Sequence, residues 1–302
     1  MHRRQYGRPT TTGGSLPDTL AEVSHLRWKN EPNNLRDPML IMAFEGWNDA
    51  GDAATMASAH LAERFDAVPF ADIDAEPFFD FSSTRPIVRL DADGQRQIEW
   101  PGNEFLVARL PDAGRDVIIL TGTEPQLKWR TFSKEIAAMA SRLNVGLVVT
   151  LGALIADVAH SRPITVYGTS HDQALCEQLE LEPSTYEGPT GIVGALHHEL
   201  QEANLASMSL WAAIPSYVPH APSPKAALAL VERIGDILAT PTVNSSLVGQ
   251  AEDYVSQIDA LVADDDETGA YVRQLEEQYD ASMRPESTAE LIEELEEFLK
   301  DQ

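Results

Sequence analysis

Between residues 38 and 215 the chain alternates short apolar runs with stretches whose apolar residues recur every three to four positions. Residues 39–44 are continuously apolar behind Pro38 and read as a strand buried on both faces. Residues 51–65 follow, with Ala54, Ala57, Leu61 and Phe65 at helical spacing and Asn48 or Asp49 placed to cap the helix. Residues 85–100 differ: Ile87, Val88 and Leu90, then Asp91-Ala92-Asp93-Gly94, then Ile98 and Trp100 predict a β-hairpin. Strands are then expected over 117–120, 146–151, 164–167 and 208–214. The expected helices between them cover 125–143, 172–179 and 190–204. This order predicts an α/β fold, a mostly parallel or mixed sheet flanked by helices.

The pattern changes after Pro222. Ser223-Pro224 is a helix start, a cap followed by proline in the first turn. Leu228, Val231, Ile234 and Leu238 mark one amphipathic helix. Tyr254, Val255, Ile258, Leu261 and Val262 mark a second, and Tyr271, Val272, Leu275 and Tyr279 a third. A last helix is expected from Ser287, whose partner Glu290 completes a capping box, with Leu291, Ile292, Leu295, Phe298 and Leu299 on its apolar face. The expected organisation is a disordered tail over 1–30, an α/β domain over 31–243 and an acidic helical appendage over 244–302. The tyrosines of the second and third helices favour packing on the α/β domain. The last helix suits either that domain or a basic groove on a neighbouring protein.

Charge narrows the partners. Lys and Arg number 22 against 48 Asp and Glu, a net charge of −26, which repels nucleic-acid phosphates and anionic lipid heads. About half of that net charge falls after residue 250. The basic N-terminus lacks an apolar stretch behind it, and the longest apolar run, 145–159, is interrupted by Gly146, Gly152 and Asp157. Cys176 is the only cysteine, which fits a reducing compartment, and a cytoplasmic location is expected.

No complete catalytic site is legible. Phosphate-loop, dinucleotide and nucleophile-elbow signatures are missing. His198-Glu199-Leu200-Gln201-Glu202 resembles a zinc helix but ends in Glu, and a solvated pair is the better account. Ser170-His171-Asp172 holds the residue types of a triad, but adjacent side chains diverge, and a turn or helix cap suits it. Cys176 has no activating cation nearby in sequence and is read as packing. No catalytic residue, metal ligand set or cofactor is assigned.

Four polar loops remain: residues 45–51, 122–126, 152–153 and 186–194. Three follow expected strands, where open parallel sheets bind ligands. Glu45, Asp49 and Glu124 are of the right type for acid–base or ribose contacts, Trp47 for stacking on a base and Arg162 for an anion. With Asn48, Gly122, Thr123, Tyr186, Thr190 and Gly191 they form the candidate ligand-binding set. Strand–helix turns need glycines and caps in any case, so both accounts stay open.

These loops also carry a resemblance. Residues 44–51 (FEGWNDAG), 122–125 (GTEP), 152–154 (GAL), 160–163 (HSRP), 186–192 (YEGPTGI) and 215–218 (PSYV) resemble the proteasome assembly chaperone type 2 family, particularly its actinobacterial members. The likeness runs from about residue 38 to 237, and the charged helical tail is also similar. It implies a fold like that of the purine nucleoside phosphorylase and hydrolase class, a homo-oligomer, and a protein partner related to the proteasome. Some relatives dock through a C-terminal hydrophobic-Tyr-X motif, whereas this sequence ends Leu299-Lys300-Asp301-Gln302. The expected function is therefore non-enzymatic protein binding of the assembly-chaperone kind. The alternative is an enzyme or sensor that takes a nucleoside-like or phosphorylated ligand in the loop pocket. Phe78, Phe79 and Phe81, if clustered at the surface, supply an apolar patch for the oligomer.

Overall fold

The apolar runs become the middle of a nine-stranded sheet in the computed structural model, which describes residues 24–184 and 187–282. In chain order the elements are β1 (Leu26–Trp28), β2 (Met39–Glu45), α1 (Ala53–Arg64), β3 (Val68–Ile73), β4 (Ile87–Leu90), β5 (Arg96–Glu99), β6 (Asn103–Ala108) and β7 (Val117–Thr123). They continue with α2 (Trp129–Arg142), β8 (Leu147–Ala156), β9 (Val166–Ser170), α3 (Gln173–Leu179), β10 (Glu182–Pro183), α4 (Ile192–Glu202) and β11 (Ser207–Pro215). Three helices follow: α5 (Pro224–Leu238), α6 (Ser245–Ala263) and α7 (Asp266–Ser282). Residues 1–23 of the expected tail, Tyr186 and the final helix over 288–300 lie outside the described residues.

The sheet order is β1-β3-β6-β7-β2-β8-β11-β9-β10, and β4 pairs only with β5. The four strands β7, β2, β8 and β11 are parallel, while β1, β3 and β6 add an antiparallel flank and β9 pairs antiparallel with β11. Side chains of β2 divide by alternation. Met39, Ile41 and Ala43 join α1 and α5 in one core, and Leu40, Met42 and Phe44 join α2 and α4 in the other. The result is a three-layer α/β fold with a mixed sheet.

The structure departs from the sequence expectation in three places. Phe78 and Phe79 are core residues, 0% and 4% exposed, with the Phe78 ring edge-on to Phe132 at 5.3 Å. They form no surface patch. The segment up to residue 30 is not wholly a tail, because Leu26–Trp28 pairs with residues 71–73 and Arg142 stacks over the Trp28 ring. The sheet also has strands that the pattern missed, β1, β3 and β6. Pro69 breaks the apparent strand pattern of β3. The sheet accommodates it because β1 pairs only with residues 71–73 and the β3–β6 register shifts between Pro69 and Ala71.

The C-terminal helices pack on the body. Asn244 caps α6 by accepting from the Leu247 amide, and Leu247, Ala251, Tyr254 and Ile258 are buried. Val272 and Leu275 do the same for α7. Among the described residues no helix is long and apolar enough to cross a membrane.

Half-buried His197 and buried Asp116 both make the stability of this fold depend on acid pH. His197 lies between Thr150 Oγ1 and Ser207 Oγ, 2.8 and 3.0 Å away, and burial pushes its pKa down to about 4. The unfolded chain binds that proton near pH 6.5 and the folded chain only near 4, so stability should fall as pH drops through this window. Burial of Asp116 favours its neutral acid, but the Arg36 side chain and the Arg36 and Leu110 amides outweigh that and hold its pKa below the usual carboxylate range. Its contribution is present above the unfolded carboxyl pKa and is lost at still lower pH. Urea unfolding between pH 7 and 4 should show the first loss, and His197→Gln should flatten it. An unchanged profile in that variant would overturn the assignment.

Candidate functional site

The loops after β2 and β7 and the N-terminus of α4 meet at one end of the sheet. Parallel pairing of β2 with β7 brings Glu45 level with Thr123, and the Glu124 amide donates to the Glu45 carbonyl at 2.9 Å. Gly46 turns the chain with φ +136°, a conformation that disfavours a side chain, and an added Cβ there would lie 3.2 Å from Glu124. Trp47 and Asn48 come next, and the Asn48 carbonyl accepts from the Ala153 amide at the end of β8.

Glu124 sits at the convergence. One carboxylate oxygen accepts from the Ile192 amide at 2.8 Å and from Asn48 Nδ2 at 3.4 Å. The other accepts from the Trp47 amide at 3.3 Å. Gly191, the cap of α4, carries no side chain to meet the free amides of that helix. The carboxylate of Glu124 takes that place and complements the helix dipole. Space is tight: a Cβ on Gly191 would lie 2.6 Å from Asn48 Nδ2, 2.8 Å from Glu124 and 2.9 Å from the Trp47 ring.

Asp49 has a similar task. It is 5% exposed, accepts from the Ala54 amide at 2.6 Å, and bonds the Thr55 hydroxyl. Burial pushes its pKa up against those hydrogen bonds. It is thus the cap expected for α1. Asp172 likewise caps α3 through the Ala174 and Leu175 amides, as the turn-or-cap reading of Ser170-His171-Asp172 expects.

The structure gathers most of the candidate set. Glu45, Trp47, Asn48, Asp49, Gly122, Thr123, Glu124 and Gly191 share this rim, and Thr190 adjoins it. The backbone at Gly122 runs against Gly102 and Asn103, where a side chain would collide with the Gly102 carbonyl. Trp47 is 66% exposed, and Leu127, Leu154 and Ile155 are exposed at the ends of the neighbouring elements.

Arg162 is elsewhere, which corrects its proposed role. Its guanidinium makes a two-pronged ion pair with Asp280 at 2.8 and 2.7 Å and meets Glu276 at 3.2 Å, both on α7. The same loop holds α6. His160 Nε2 is 3.0 Å from Asp259, and its Nδ1 is 2.7 Å from the Tyr217 hydroxyl. Tyr271 donates to Asp157 at 2.8 Å. This fastening is not legible in the sequence, although residues 160–163 and 215–218 carry family motifs.

The PAC2 family pattern matches residues 43–262, and the chain belongs to that family. The match extends over α6, so the first acidic helix is part of the family unit. A PAC2 family protein from Streptomyces avermitilis is 43% identical, with TM-score 0.73, over 78% of this chain and 100% of that one. A proteasome-assembly chaperone homologue from Mycobacterium tuberculosis is 42% identical, with TM-score 0.70, over 78% and 99%. An archaeal proteasome activator from Pyrococcus furiosus, 19% identical with TM-score 0.61 over 78% and 97%, shares the fold. No curated protein matches the chain.

Two outcomes test the geometry. Glu124→Ala removes a charged acceptor from three donors and should cost about 2 kcal/mol in urea unfolding, with faster amide exchange at Trp47 and Ile192. Arg162→Ala should speed exchange across α7 while leaving exchange in β2 and β8 unchanged. Exchange at α7 equal to that of the wild type would show that Arg162 does not fasten it.

Proposed function

We propose that this PAC2-family protein is a non-enzymatic, assembly-chaperone-like factor that binds another protein with the rim at the carboxyl ends of β2, β7 and β8. The observation that carries this reading is the engagement of Glu124. Its carboxylate is held by three donors from two loops, an arrangement that stiffens a surface rather than one that leaves a base free for a substrate proton. Asp49 is engaged in the same way at α1.

Beside this clasp stands Trp47, exposed on a rigid footing. A large amphipathic side chain held by a stiff backbone is an effective anchor for a protein contact, because little conformational freedom is lost on binding. Leu127, Leu154 and Ile155 extend the apolar rim. The likeness to a proteasome-assembly chaperone homologue points to proteasome subunits or their assembly intermediates as partners, in the cytoplasm. The net charge of −26 favours a basic face on that partner. Self-association belongs to the same reading.

The competing reading, a phosphorylated or nucleoside-like ligand, needs an anion seat. The N-terminus of α4 is the natural one, and Glu124 already fills it. The two readings separate in one pair of measurements. Trp47→Ala should leave stability within about 0.5 kcal/mol of wild type. The same change should reduce capture of actinobacterial proteasome subunits at least tenfold. Capture at the wild-type level would remove Trp47 and this rim from the reading. A saturable thermal shift with nucleosides, nucleotides or sugar phosphates, lost in Glu124→Ala, would favour the ligand instead.

A further inference from the structure

Helix α7 lies in a groove that it does not fill. Val272 and Leu275 are buried on its inner face, and Glu276 and Asp280, one turn apart, both reach Arg162 from that face. Ser161 donates to Glu276, and Tyr271 donates to Asp157 at 2.8 Å. The receiving surface is the segment over 157–165, between β8 and β9. It is held in shape by groups that do not belong to α7. Lys225 Nζ donates to the carbonyls of His160 and Arg162 at 2.5 and 2.7 Å, and the His160 amide donates to the Tyr217 hydroxyl at 2.8 Å. Between Leu275, Gln278 and Ser282 of the helix and Val158, Ala159 and Pro163 of the segment lies a cleft of about 210 Å³. Well-packed contacts leave few voids larger than a water molecule, so α7 uses its seat only in part. The segment lies within the residues that the family pattern matches, 43–262, and α7 lies beyond them.

The geometry points to a receptor site for an amphipathic helix of another protein, a site that α7 occupies as a displaceable strap. The helix it fits carries apolar residues at positions i and i+3 and carboxylates at i+4 and i+8, the spacing of Val272, Leu275, Glu276 and Asp280. Arg162 sets that spacing. Its guanidinium takes Asp280 two-pronged at 2.8 and 2.7 Å and Glu276 at 3.2 Å, a fork that one carboxylate alone does not satisfy. The cleft separates α7 from a better occupant. Gln278 and Ser282 meet it with a polar and a small side chain, and larger apolar residues there would also bury Val158, Ala159 and Pro163. α7 holds the site despite this fit because it is tethered through a short turn after α6, which gives it an effective concentration on the order of millimolar. A free helix displaces it when the extra burial outweighs that advantage. The net charge of −26 opposes an acidic helix at long range, but salt screens distant charges before close, partly buried pairs. The site thus differs in kind from the rim, whose partner presents a basic face, and it does not rest on the rim reading.

The test is fluorescence anisotropy of the full chain with a labelled peptide of residues 264–282 that carries Gln278→Leu and Ser282→Leu, at about 150 mM NaCl. Two full-chain hosts loosen α7. Glu276→Lys with Asp280→Lys keeps the groove and sets two cations against Arg162, while Arg162→Glu reverses the charge of the groove. Hydrogen exchange across α7 should quicken in both hosts and stay at the wild-type rate in β2 and β8. The first host should bind the peptide at least tenfold more tightly than the wild type, whose own α7 competes. The Arg162→Glu host should not bind it, and should bind instead the same peptide with Glu276→Lys and Asp280→Lys. In the otherwise wild-type chain, Gln278→Leu should slow exchange across α7 by filling the cleft. Peptide binding that ignores the charge at residue 162 overturns the inference. So does a released α7 with no peptide bound by either host, or unchanged exchange in Gln278→Leu. Exchange across α7 that stays slow in both hosts, or that quickens together with β2 and β8, makes α7 a fixed part of the fold and also overturns it.

Discussion

The parallel strands β7, β2, β8 and β11 are covered by helices on both faces, and the organisation of the site follows from that constraint. Side chains along β2 from Met39 to Phe44 are buried whichever way they point. Polar groups are therefore confined to the strand ends, where the chain must turn and where helix N-termini leave amides without partners. Local capping does not meet the whole need: Gly191 has no side chain and Asp52, at the formal start of α1, makes no capping bond. Remote or slightly displaced carboxylates do the work instead. Glu124 crosses from β7 to the start of α4, and Asp49 reaches forward to Ala54 and Thr55. Two residues of the kind that mark an acid–base centre are used to close helices, and in closing them they draw three loops into one surface.

The distinction between closing a loop and catalysing a reaction is the part that a sequence does not carry. Glu45, Asp49 and Glu124 have the same composition and spacing under either account. Only the positions of the Ile192, Trp47 and Ala54 amides separate them. What was legible was periodicity. Every strand buried on both faces stood out as an apolar run, and the helices from α1 to α7 followed their apolar stripes, with Ser223 and Asp172 as caps. The gathering of the loops was legible too, from the rule that parallel strands end together. The antiparallel flank was not. β3 carries Pro69 at a register shift, β1 is three residues long, and β6 mixes Asn103 and Glu104 with its apolar positions. Arg162 was misplaced for a different reason. An arginine side chain suits an anion equally well whether it comes from a ligand or from Asp280, more than a hundred residues away.

That ion pair bears on how an acidic chain holds itself together. The carboxylates of α6 and α7 face a body that is itself acidic, and the short segment from Asp157 to Arg162 supplies the groups that fasten them. His160 meets Asp259, Ser161 and Arg162 meet Glu276, and Arg162 meets Asp280. Lys225 donates to the carbonyls of residues 160 and 162, which stiffens the segment from behind. With those carboxylates engaged, the remaining negative charge of the two helices faces solvent.

The β4–β5 ribbon rises from the same end of the sheet as the Glu124 clasp. Asn103, at the start of β6, lies level with Gly122, and the Gly102 carbonyl accepts from the Thr123 amide at 3.1 Å. The ribbon's exposed Val88, Leu90, Ile98 and Trp100 therefore emerge at the rim's end of the sheet, and because Arg85, Arg89 and Arg96 cancel Asp91, Asp93 and Glu99 the ribbon adds apolar surface there without adding net charge.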